Sequence, residues 1–314
     1  MLTPVGTCQS PPQCEPIVSA KTIPISAAVP AFRRHEQLRV TLTRLQACEP
    51  PPAEILVHLD GNDTALRALL VGEFPEVRLL HSATLVGPGG ARNRLMREAR
   101  CDWVAHFDDD SFPQDADYFA RAWELISSMP DTAVFCATML PFESPDPRGM
   151  WLQAFYTGCA HLMSRDWFLR TRGYLSLPIA YNLEEVDVSL QLHDLGGRCL
   201  QSGSLRVFHD HPLPEREDEN TQVATMINTV LFPLLRYPVA LWPQATASIL
   251  RRLIRLLLSG EGRVIRRTLR ALPAAIHHHF PLRVPVSTAG TLSWLLLRRS
   301  PPRVSLSAAP SSRP

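Results

Sequence analysis

Along the first two hundred positions, short apolar runs alternate with stretches whose apolar residues recur every three or four. Ile25 to Val29, ended by Pro30, reads as a buried strand. His35 to Cys48 puts Leu38, Leu42 and Leu45 on one helical face, and Pro50, Pro51 and Pro52 stop it. Glu54 to Leu59 is a second strand, closed by the turn sequence Asp60-Gly61-Asn62-Asp63. A helix around Ala65 to Leu70 and a strand over Val77 to His81 follow. Strand, helix, strand, helix, strand predicts a parallel α/β sheet with right-handed crossovers. Further strands are expected at Val104 to Phe107, Ala133 to Met139, Gly158 to Met163 and Cys199 to Phe208. Helices are expected at Asp115 to Ser127, Ser164 to Thr171 and Tyr181 to Leu195, with a Pro-rich connector over Phe142 to Gly149.

Parallel sheets bind ligands beyond the carboxyl ends of their strands. Asp60 and the run Asp108, Asp109 and Asp110 both fall at such ends. Three adjacent carboxylates repel one another, and oxygen ligands on a loop suit Mg²⁺ or Mn²⁺, ions that also bind diphosphates. A solvated acidic turn is the bland alternative. Between the two lies LVGPGGARNRLMREA, in which Gly87, Gly89 and Gly90 permit a tight turn. A helix starting near Ala91 would present free N–H groups to an anion, with Arg92 adding charge. The spacing is neither a P-loop nor a dinucleotide fingerprint, and a plain glycine turn before a surface helix is the simpler reading. Glu184, Glu185 and Asp187 open a helix, either as dipole partners or as a general base. His209 closes the last strand as a structural residue or a ligand.

A net charge of +2 over 314 residues leaves no field for nucleic acid. Seven cysteines without a CxxC pair fit reduced, buried thiols in a cytoplasmic protein. No secretory signal and no apolar run of spanning length are read. After Glu215 to Glu219 the composition shifts to Leu, Arg and Pro, with helices expected at Met226 to Leu235 and Ser248 to Leu258. Arg251, Arg252 and Arg255 lie among Leu253, Ile254, Leu256, Leu257 and Leu258, and Arg263, Arg266, Arg267 and Arg270 follow. That mixture suits an interfacial helix on the inner face of a membrane, and equally packing on the main domain or a second subunit. The expected organisation is a disordered leader over 1–22, a catalytic domain over 23–213, a helical extension over 214–299 and a disordered tail over 300–314.

Six segments in order make residues 23 to 213 resemble the family 2 glycosyltransferases of GT-A fold. They are Pro30-Ala31-Phe32, Leu59-Asp60-Gly61, Gly87 to Asn93, Asp108-Asp109-Asp110, Glu184-Glu185-Val186-Asp187 and His209. Leu59 stands where the family has Asp, and Glu185 where it has Asp. The resemblance implies a mostly parallel central sheet flanked by helices, an NDP-sugar donor and a hydroxyl acceptor, whether glycan, lipid-linked or small molecule. It places Pro30, Ala31, Asp60, Arg92, Asn93, Asp108 and Asp109 on the nucleotide sugar. Asp110 with His209 would hold Mg²⁺ or Mn²⁺. Glu185, or else Glu184, would be the base of an inverting displacement, with Asp187 supporting the helix. The alternatives are a non-catalytic nucleotide-sugar-binding protein and a metal-dependent nucleotidyltransferase.

Overall fold

The computed structural model describes residues 22–304, except 142, 144, 145, 147, 148, 178, 180–182 and 211–217. The leader and most of the tail lie outside these residues, as does part of the connector before Gly149.

The chain runs β1 (Ile23–Ala31), α1 (His35–Gln46), β2 (Pro52–Asp60), α2 (Thr64–Glu73), β3 (Arg78–Ser82), α3 (Gly87–Glu98), β4 (Trp103–Phe107), β5 (Ser111–Pro113) and α4 (Tyr118–Ser128). There follow β6 (Thr132–Leu140), β7 (Met150–Leu152), β8 (Ala160–Ser164), α5 (Arg165–Leu169), α6 (Glu184–Asp194) and β9 (Arg198–His209). Four long helices come last: α7 (Glu219–Arg236), α8 (Trp242–Leu258), α9 (Gly262–His279) and α10 (Thr288–Arg299). One sheet takes the order β3-β2-β1-β4-β8-β6-β9-β5, with β7 also on β9. β3, β2, β1 and β4 are mutually parallel, as are β6 and β9. β8 runs antiparallel between β4 and β6.

Side-chain alternation explains why helices cover both faces. Ile25, Ala27 and Val29 of β1 join Leu38, Leu42 and Leu45 of α1 and Phe119 and Ala122 of α4. The intervening Ala28 points to the other face, with Leu95 and Met96 of α3 and Val188 and Leu192 of α6. Every residue of β4 is buried because it lies mid-sheet under both layers. β5 and β7, three residues each, are too short for a periodicity to reveal. Pro113 is tolerated because β5 is an edge strand. The helix expected from Asp115 begins at Tyr118, since the Asp115 carboxylate pairs with Arg206 instead. The charged run expected as a connector ends in a helix start, where Asp218 caps α7 through the N–H groups of Asn220 and Thr221.

The final helices are built into the same body. Leu231 and Leu235 of α7 and the fully buried Trp294 of α10 share a core with Leu175, Leu183 and Leu190. Trp294 Nε1 donates to the Ala154 carbonyl at 2.6 Å. Residues after Ser300 also turn back: Leu152 donates to the Pro302 carbonyl at 3.0 Å, and Val304 to that of Met150 at 2.8 Å. The join is sealed by an ion pair between Asp187 of α6 and Arg236 of α7, both buried. It is bidentate, with Nη2 to Oδ2 at 3.0 Å and Nε on Oδ1. Arg236 also donates to the Leu282 carbonyl at 3.1 Å. Arg236→Met should therefore lower the unfolding free energy by about 3–5 kcal/mol in urea titration, because a buried carboxylate loses its partner. Adding Asp187→Leu should recover most of the loss. No recovery would mean that packing around Arg236, rather than its charge, is what matters.

Candidate active site

β2, β1 and β4 are neighbours that end on the same side of the sheet, and their ends carry Asp60, Ala31 and Asp108 to Asp110. Past β1 the chain turns at Arg33, which has the left-handed φ of 63°. The turn brings the Phe32 N–H to Asp109 Oδ2 at 3.1 Å and Arg34 Nη1 to Asp109 Oδ1 at 3.2 Å. Arg34 also reaches Asp110. Thr41 of α1 donates to the Asp109 carbonyl at 3.1 Å, locking the main chain there. β5 pairs antiparallel with β9 so that Ser111 opposes His209. That register sets His209 Nε2 3.2 Å from Asp110 Oδ1. Burial disfavours the His209 imidazolium, but the Asp110 carboxylate outweighs it and holds the ring above its ordinary range. Asp109 is pushed up to about 7, chiefly by burial, with the Phe32 N–H pulling the other way.

Arg92, only 3% exposed, joins the rest. From α3 it donates to Glu184 Oε1 at 2.6 Å and to Asp108 Oδ1 at 2.5 Å. Asp108 is fixed in turn by its N–H to Ser111 Oγ at 2.7 Å, and that hydroxyl donates to the Cys159 carbonyl at 2.9 Å. Glu185 lies beside them: a Cβ on Gly158 would fall 2.2 Å from Glu185 Oε1 and 3.1 Å from Arg92 Nη2. Burial pushes both glutamates up, Glu184 to about 7, against the pull of Arg92.

Other expected residues have different company. α3 starts at Gly87 rather than Ala91, and the N–H groups of its cap Val86 and of Gly87 are already taken. Asp60 accepts from Val86 N at 2.8 Å and Gly87 N at 2.9 Å, so a carboxylate of the chain itself fills the place expected for an anion. The glycines serve close packing: a Cβ would come 2.1 Å from the Leu177 carbonyl at Gly87 and 2.4 Å from that of Leu175 at Gly89. Asn93 brackets the main chain of Tyr174, donating to its carbonyl at 2.8 Å and accepting its N–H at 2.9 Å. Pro30 and Ala31 end β1 beside the Asp109 loop, with Ala31 buried.

The donor set suits a divalent cation. Single ligand atoms of Asp108, Cys159 and His209 lie within 4.8 Å of one another, and Asp110 adjoins His209. Carboxylate oxygen with imidazole nitrogen fits Mn²⁺ or Mg²⁺, and the thiol adds a softer donor. Cys159 carried no sequence signal, because only the fold brings β8 under Asp108.

The model for "Glycosyl transferase family 2" matches residues 26–179. No curated protein matches the sequence. Among solved structures, a mannosyltransferase from Pyrobaculum calidifontis in complex with GDP-Man and Mn²⁺ aligns with a TM-score of 0.55 and 13% identity, over 89% of this chain and 88% of that one. TarS (1-349) of S. aureus in complex with UDP-GlcNAc aligns with a TM-score of 0.55 and 13% identity, over 80% of each chain. GalNAc-T7 with UDP, GalNAc and Mn²⁺ gives 0.58 and 15%, over 73% of this chain and 52% of that one. At such identities the likeness is one of fold.

Beneath the carboxylates lies a buried polar stack. His106 and His161 stack with ring centroids 4.8 Å apart. His161 Nδ1 bonds the Thr157 carbonyl at 2.9 Å, and the hydroxyls of Tyr156 and Tyr174 lie 2.7 Å apart beside it. Burial holds His161 down to about 3, with Arg92 adding to the effect, so its ring is neutral in the folded protein. Unfolded, the same ring titrates near 6.5. Its contribution to stability is therefore present above pH 6.5 and lost as pH falls toward the folded value. The destabilisation caused by His161→Gln should be largest at pH 7 and shrink by up to about 1.4 kcal/mol per pH unit below 6.5. Parallel urea curves for both proteins between pH 7 and 4.5 check this; a constant gap would refute the neutral ring.

Proposed function

Because residues 26–179 form a glycosyl transferase family 2 domain within a GT-A fold, we propose that the chain moves a sugar from a nucleoside-diphosphate-sugar donor to an acceptor hydroxyl in one inverting, cation-dependent displacement. The observation that carries this reading is the convergence of Asp108, Glu184 and Glu185 on Arg92, beside the Asp109–Asp110–His209 group. An anionic donor entering so acidic a cleft requires positive charge. Asp110 and His209, with Asp108 and Cys159 close by, would hold the divalent cation, which supplies electrostatic relief to the departing diphosphate. Pro30, Ala31, Asp60 and Asp109 flank the nucleoside end, and Asp60 retains a lone pair on each oxygen beyond its bonds to α3.

Glu184 is committed to Arg92, so the base is Glu185. It takes the acceptor proton as the oxygen attacks the anomeric carbon from the face opposite the diphosphate. One C–O bond forms, the bond to the nucleoside diphosphate breaks, and configuration inverts. Desolvation raises the Glu185 carboxyl toward the range in which a base is efficient. Asn93 keeps α3 against Tyr174, which fixes where Arg92 lies.

Glu185→Gln should bind donor as the parent does, by calorimetry with Mn²⁺, and reduce turnover about 10²–10⁴-fold. Unchanged turnover would move the base elsewhere. Release of pyrophosphate from a nucleoside triphosphate would instead favour a nucleotidyltransferase. The acid limb of kcat should centre above the ordinary carboxylate range and shift to higher pH in Arg92→Gln, because Arg92 is what opposes protonation of the pair. A limb that moves down would contradict the assignment. Gly158→Ala should leave the fold intact by circular dichroism yet lose most turnover, since its methyl displaces the Glu185 carboxylate.

A further inference from the structure

We propose that α8 and α9 form a docking face for an anionic lipid bilayer, on which the protein rests without inserting a spanning segment. Charge is strongly segregated along the chain. Residues 242–299 hold ten arginines and one acidic residue, Glu261, although the whole chain has 32 basic against 30 acidic residues. The remainder is accordingly acidic, and the near-neutral total conceals a basic end.

The fold leaves apolar surface uncovered on the same helices. Leu250, Ile254 and Leu257 recur at four and three residues along α8 and are 52%, 54% and 61% exposed, and Leu258 beside them is 83% exposed. Only Ala245 of α8 is buried. α9 buries Val264 and Thr268, yet presents Leu269, Leu272, Pro273 and Ile276, with Phe280 just beyond its end, along an open apolar groove of about 740 Å³. α9 thus has one face that packs and a second, largely open apolar face on which only Ile276 reaches back to the core. On a helical projection of about 100° per residue, Arg251 and Arg255 border the α8 stripe and Arg266 and Arg270 border that of α9. All four are exposed. Apolar stripes edged by guanidinium groups match a headgroup boundary, where the leucines enter the acyl region and the arginines stay with phosphates. No described helix is long and apolar enough to cross the bilayer.

The other occupants fit less well. A second copy would bring one basic face against another. A nucleic acid would satisfy the arginines and leave the leucines in water. An anionic bilayer satisfies both.

The full chain should sediment with vesicles of phosphatidylglycerol and phosphatidylcholine, much less with phosphatidylcholine alone, and binding should weaken with added salt. Arg251→Ser with Arg255→Ser should weaken vesicle binding at least roughly ten-fold. Ile254→Ser with Leu257→Ser should also weaken it, with the net charge unchanged. Both variants should keep the parent's donor hydrolysis in vesicle-free buffer, because none of the four residues lies in the active site. Failure of the parent to bind either vesicle overturns the proposal. So does a stable dimer by light scattering that the Ile254→Ser, Leu257→Ser variant dissociates, or retention on nucleic acid in preference to vesicles.

Discussion

A single buried guanidinium holds the active site together. Arg92 is almost wholly out of water, where an unpaired charge is untenable, so two carboxylates must come to it. One arrives from the loop after β4 and one from the first turn of α6, segments 76 residues apart in the chain. Between them the chain runs through β6 and turns back into β8, and that return supplies Gly158, whose missing side chain leaves room for the Glu185 carboxylate. The site is thus specified by charge compensation, and the sheet provides the frame on which the compensation closes.

A second buried pair performs the same service on the outer side of α6. Asp187 and Arg236 attach the C-terminal helices to the helix that bears both glutamates. The arginine's main chain is also occupied: Val286 donates to the Arg236 carbonyl at 2.8 Å, and Asp194 near the end of α6 accepts the Ser287 N–H at 3.1 Å. The C-terminal helices consequently brace α6 at both ends. Its first turn carries three acidic residues whose mutual repulsion would otherwise favour fraying.

The strands of the sheet's first half were legible because each is an apolar run bounded by Pro, Gly or Asp, and buried strands are written that way. The triple Asp and the paired Glu stood out for the same reason that they function, since like charges are rarely placed together without a counter-charge. Which counter-charge serves each was not legible. Arg92 read as charge added for an anion, and the fold supplies its partners, Glu184 and Asp108. Asp60 read as a nucleotide contact, and the fold gives its oxygens a further task, closing the start of α3. The glycines of residues 87 to 90 read most simply as a turn before a surface helix, and Gly87 and Gly89 in fact admit the backbone of 175 to 177. One reason covers all three: polar and small residues announce that something must be satisfied or approached, and only tertiary structure says by what. Cys159 and Arg236 carried no local sign at all, because a lone thiol and a helical arginine are common everywhere.

The geometry of α6 explains why adjacent carboxylates need not be redundant. Successive helical residues diverge by about 100°, so Glu184, Glu185 and Asp187 leave the axis in three directions. Glu184 turns inward to Arg92, Asp187 turns to Arg236, and Glu185 faces the gap kept open by Gly158. Two of the three are consumed by arginines, which fixes the rotation of the helix about its axis. Once that rotation is fixed, the direction of the third follows. A shorter Asp at position 185 would sit a methylene farther from Gly158. The longer Glu reaches across, and the glycine is the feature that lets it do so.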